Sequence, residues 1–97
     1  MPAVTRIGDA DVSHCSAMSR AEGSSNVFVN GIGVSRQGDL NTLHLLPAIP
    51  ACVLHKAAIS TGSTTVFING KGAGRIGDAL SGCTFVAQGS PNVFAGG

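Results

Sequence analysis

Seventeen residues occur twice in this chain, and that duplication constrains the fold more than any other property. Gly23 to Asp39 reads GSSNVFVNGIGVSRQGD, Gly62 to Asp78 reads GSTTVFINGKGAGRIGD, and ten of the seventeen positions are identical. A third copy is split between the ends. Gly89 to Gly97 (GSPNVFAGG) supplies positions one to nine, and Pro2 to Asp9 (PAVTRIGD) supplies positions ten to seventeen. A short repeat cannot bury its apolar face alone, so the copies have to pack on one another. The pattern predicts a three-unit body with residues 1–9 and 89–97 side by side.

Each unit reads as a β-hairpin. Asn26-Val27-Phe28-Val29 is a β-branched and aromatic run, Asn30-Gly31 is a two-residue turn signal, and Ile32 to Arg36 returns. Asn-Gly is favoured there because a type I′ turn needs positive φ at both central residues. Asn69-Gly70 repeats the signal, and the junction of Gly96-Gly97 with Met1-Pro2 falls at the corresponding turn. The expected fold is therefore all-β: three permuted hairpin repeats with pseudo-threefold symmetry, forming one domain over residues 1–97. Phe28, Phe67 and Phe94 share one repeat position and are expected to meet near the pseudo-threefold axis, with Phe85 outside the scheme. Fourteen glycines fit tight turns and close backbone approach.

The chain has four Phe and neither Trp nor Tyr, a thin core of the kind that often needs a staple. Net charge is +1 with no basic run, which leaves nucleic-acid binding without support. The opening residues are expected to carry no signal peptide. Leu43 to Ala58 is the most apolar stretch, but it is too short, and too broken by Pro47, Pro50 and charged or imidazole side chains, to span a membrane.

The chemistry lies in the connections between units, residues 10–22, 40–61 and 79–88. Five residues beyond each repeat-final Asp stand His14, His44 and Cys83, all metal-ligand types at matching places. A fourth ligand has to break the symmetry. His55, in the longest connection, is the leading candidate; Cys52 competes, three residues away, and Cys15 is weaker because it adjoins His14. Three His and one Cys would make a closed tetrahedral site suited to Zn²⁺. Three cysteines is an odd number for a disulfide framework. Cys52 and His55 could form a nucleophile–base pair, but no third group is placed to orient the imidazole. Arg6, Arg36 and Arg75 each stand three residues before a repeat Asp, which points to local Arg–Asp pairing rather than an anion-binding ring.

The repeats GSxxVFxNGxGxxRxGD, the closing GSPNVF, the opening PAVTRIGD and the interleaved His, His, Cys-x-x-His and Cys resemble a PAAR-repeat protein. The likeness covers nearly the whole chain. The name-giving motif is reduced mainly to its Arg, because Gly33-Val34-Ser35-Arg36 and Gly72-Ala73-Gly74-Arg75 stand in its place. The resemblance implies a compact cone with a triangular base and one structural zinc ion near the tip, held by His14, His44, His55 and Cys83. It also implies a role: a monomeric cap on the trimeric β-helical spike of a contractile injection machine. That machine is either a phage tail, placing the cap on the virion, or a type VI secretion apparatus, cytoplasmic before delivery, and contact with the target membrane is transient.

On this reading the protein is a piercing tip and not an enzyme. A spike end exposes unpaired strand edges, and a cap with three near-equivalent faces can meet each of three identical chains. The alternative is an adaptor carrying an effector on the spike, expected to bind its cargo non-covalently. A zinc hydrolase needs an open coordination position, which four protein ligands would not leave.

Overall fold

Asn30 and Gly31 adopt φ of 55° and 76°, and Asn69 and Gly70 adopt 54° and 80°, the paired positive values that a type I′ turn requires. These turns close two of the three strand pairs in the computed structural model. The structure describes residues 1–13, 17–42 and 56–97, together with the backbone of residues 44–46 and 53–55. Among these there is no helix, only strands and isolated bridges. β1 (Phe28–Val29) pairs antiparallel with β2 (Ile32–Gly33), β3 (His44–Leu46) with β4 (Val53–His55), and β5 (Phe67–Ile68) with β6 (Lys71–Gly72).

The two ends of the chain lie side by side. Ala3 bridges Phe94, where β1 and β2 pair Phe28 with Gly33 and β5 and β6 pair Phe67 with Gly72. Val4 N–H donates to the Val93 carbonyl at 3.0 Å, and Ala95 N–H to the Pro2 carbonyl at 3.0 Å. Bridges then run in a closed circuit: Val4 to Arg75, Val34 to Arg6, Ala73 to Arg36. Inside it, Thr5 N–H donates to Gly74, Gly74 N–H to Ser35 and Ser35 N–H to Thr5, at 2.9, 2.9 and 3.1 Å. A second circuit joins Arg20 to Asn41, Ile59 to Leu80 and Val86 to Asp11.

The core is small and aliphatic. One cluster contains Val4, Val34, Ala73 and Ala95, with Val27, Val29, Ile68 and Val93 packed on it. The other contains Ala57, Ile59, Leu80 and Val86, with Cys83 against it. The phenylalanines do not meet at the centre. Phe28, Phe67 and Phe94 are 58%, 59% and 49% exposed. The period of two decides this: successive strand residues face opposite ways, so burying Val27 and Val29 turns Phe28 outward. Close packing also fixes two glycines, since a Cβ on Gly33 or Gly72 would lie 2.5 Å from the carbonyl oxygen of Ser24 or Ser63.

Candidate metal centre

The connections leave the hairpins through three matched turns. In each, the Asp N–H donates to the Arg carbonyl three residues earlier: Asp9 to Arg6 at 2.9 Å, Asp39 to Arg36 at 2.9 Å, Asp78 to Arg75 at 3.0 Å. The intervening Gly8, Gly38 and Gly77 sit at φ of 90°, 93° and 90°, a backbone that type II turns reserve for glycine. Each carboxylate then accepts from the Arg backbone N–H and from Nε and Nη2 along one edge of the same guanidinium. The three arginines are thus engaged by their own aspartates, and the forks at Asp9 and Asp39 hold the Arg6 and Arg36 guanidinium pKa above its ordinary value. The spare Nη1 of Arg6 donates to Asn30, that of Arg36 to Asn69, and that of Arg75 to the Gly96 carbonyl, tying each turn to a hairpin tip.

Every connection returns to the glycine it left. Gly8 N–H donates to the Arg20 carbonyl, Gly38 to Ile59 and Gly77 to Val86, at 2.8, 2.9 and 2.9 Å. The residues singled out as ligands therefore ride on loops launched and recovered at corresponding points. His14 lies outside the described residues, as do Cys15 and Cys52. His44 and His55 are Cα partners in the β3–β4 pair, so one ladder rung carries both. Directly opposed residues of an antiparallel pair share a face of the ladder. Cys83 closes the short third connection, its N–H donating to the Leu80 carbonyl at 3.0 Å while Leu80 N–H donates to Thr84 at 2.8 Å. Burial pushes the Cys83 thiol pKa up and the nearby Asp11 carboxylate adds to the rise, whereas the Thr84 N–H and Arg20 oppose it. Among the described residues no three His, Cys, Asp or Glu side chains gather; of the four proposed donors, that set includes the side chain of Cys83 alone.

One cluster escaped the sequence reading. Arg20 and Asp11 form an ion pair at 3.1 Å with both side chains fully buried. Arg20 Nη1 also donates to the Asp39 carbonyl, and Asn41 Nδ2 donates to the same Asp11 oxygen at 3.2 Å. Asn41 Oδ1 accepts from Ala57 N–H at 2.8 Å. Burial lowers the Arg20 pKa, and Asp11, Asp39 and Cys83 counter that fall. The available signal was positional. Arg20 stands where the other copies carry Ile59 and Val86, and Asp11 and Asn41 stand where the third carries Leu80.

Compared with known families, residues 51–97 match the family model described as PAAR motif. No curated protein matches the chain.

Proposed function

We propose, starting from the PAAR motif that the chain carries, that this protein is a structural tip for the spike of a contractile injection machine. On this proposal it is a tapering body of three permuted hairpin repeats related by a pseudo-threefold axis. It caps a trimeric β-helical spike one cap to one trimer, in a phage tail or a type VI secretion apparatus. The observation that carries the reading is the recurrence of Phe28, Phe67 and Phe94, each displayed outward from a corresponding strand pair. A single chain that offers the same aromatic three times suits a partner made of three identical chains. The molecule measures 41 × 23 × 21 Å along its principal axes, an elongated outline that suits a tip. No catalytic step is assigned to it.

The second part of the proposal is a metal. His14, His44, His55 and Cys83 would hold one zinc ion, which would cross-link the three connections without a reactive position. The shared rung of His44 and His55 supports the donor set, as does the packing of Cys83 against the cluster of Ala57, Ile59, Leu80 and Val86. Three imidazoles and one thiolate also match the ion's preference. A structural zinc site contributes about 10–16 kcal/mol of apparent binding free energy, comparable with the whole stability of a small domain at about 5–15 kcal/mol. Elemental analysis should find one zinc per chain. His14→Ala, His44→Ala, His55→Ala and Cys83→Ala should each empty the site and lower the melting temperature sharply, while Cys15→Ser and Cys52→Ser should keep the zinc. A wild-type protein without zinc, or a full site in His55→Ala with an empty one in Cys52→Ser, would overturn that assignment. For the capping role, native mass spectrometry with a candidate spike should give one chain per trimer, and Phe28→Ala/Phe67→Ala/Phe94→Ala should weaken the complex. Three chains per trimer would sink the capping geometry.

A further inference from the structure

We propose that the buried Asp11–Arg20–Asn41 network is the outer shell of the zinc site, holding its ligand-bearing segments in register for the ion. The inference rests on the metal reading above. Its starting point is an asymmetry. Where corresponding residues of the chain make a layer of Ile59, Leu80 and Val86, the rest of that layer is built from a guanidinium, a carboxylate and an amide. Stability alone gives no reason for this choice. Taking two charges out of water costs several kcal/mol each, and replacing a buried ion pair with packed aliphatic residues is often neutral or stabilising. The same molecule already uses the aliphatic solution at the corresponding positions.

The placement supplies the reason. Asp11 lies three residues before His14, Asn41 three before His44, and Ala57, whose N–H is held by Asn41, two after His55. Arg20 reaches from the first connection to the Asp39 carbonyl at the root of the second. Thr42 Oγ1 accepts from Ser19 N–H at 3.1 Å, a further tie between these two connections. The third connection is tied in as well, since Asp11 bridges Val86 and Val12 N–H donates to the Phe85 carbonyl at 2.8 Å. Hydrogen bonds are directional, whereas aliphatic packing tolerates small slides. A polar network spanning the roots of the ligand segments therefore fixes their spacing as an apolar layer would not. Groups that orient metal ligands from outside the first shell typically govern affinity by about 10- to 100-fold.

The decisive variant copies the chain's own aliphatic solution: Asp11→Leu/Arg20→Ile. Zinc affinity is measured on the full chain by competition with a chromophoric chelator, alongside urea unfolding and the thiolate-to-cobalt charge-transfer band of the Co²⁺ form. The expected result is a folded protein of near wild-type stability that still takes one metal ion, with zinc affinity lowered about 10- to 100-fold and an altered cobalt spectrum. Val34→Ala, which opens the cluster remote from the connections, should cost stability and leave zinc affinity unchanged. Wild-type affinity and spectrum in the double variant would overturn the inference, as would an equal loss of affinity in Val34→Ala. Should the double variant not fold, Arg20→Lys keeps the charge but loses the two-armed link to Asp11 and Asp39. It should bind zinc several-fold more weakly, and unchanged affinity there also overturns the proposal. A wild-type chain that binds no zinc removes the metal reading itself, a different failure from wild-type zinc binding that the variants leave intact.

Discussion

Asp39 shows how much of this structure rests on single polar side chains. Its two oxygens accept from the Arg36 N–H at 2.8 Å and from the guanidinium at 2.9 and 3.0 Å, and its own N–H closes the turn. It is buried, so the bonds are poorly replaced by water. Asp39→Ala should therefore cost about 1.5–3 kcal/mol, read from the shift in urea midpoint. A cost near zero would show that the turn stands on its glycine alone. The Arg–Asp spacing was legible in the sequence because it recurs three times at one interval. Arg20 was not, because it occurs once: a lone Arg in a polar connection reads as solvent-facing, and only alignment of the copies puts it opposite Ile59 and Val86.

Among elements, the β5–β6 hairpin separates two reasons for glycine within three residues. At Gly70 a Cβ meets nothing within 4 Å, so Gly70→Ala acts only through the left-handed backbone and should cost about 1 kcal/mol. At Gly72 the Cβ would strike the Ser63 carbonyl, so Gly72→Ala must move backbone and should cost about 1–3 kcal/mol or more. Thermal unfolding that ranks the two the other way would contradict this packing. The turns were legible because Asn-Gly and Gly-Asp encode backbone geometry directly, and the pairing of the two ends because their sequences continue one another. The facing of the strands was not legible from a shared repeat position, which says that Phe28, Phe67 and Phe94 are alike and not which way they point. Val27 and Val29 flank Phe28, and in a narrow body only the smaller aliphatic side chains fit the interior. Of the proposed metal centre, the sequence supplied donor types and spacing, and the backbone added the rung shared by His44 and His55.

For the whole molecule, the side-by-side ends predict that a circular permutant should work. Joining Gly97 to Pro2 and opening the chain between Asn69 and Gly70 preserves every bridge between residues 3–4 and 93–94 while moving the break to a corresponding turn. It should fold and bind the same metal; expression only as aggregate would count heavily against the split copy. The pairing of Ala3 and Val4 with Val93 and Phe94 has a further consequence, in time rather than in space. The circuit of Thr5, Ser35 and Gly74 has all its members once residue 74 is made, but Val4 must await Val93, eighty-nine positions along the chain. Contacts of that span delay folding, because chain entropy is lost before they form. A ribosome that has made only the two unbroken copies thus holds the opening half of the split one with no partner strand. The protein should stay open and exposed to proteolysis until residues 93–95 emerge, then close in one cooperative step.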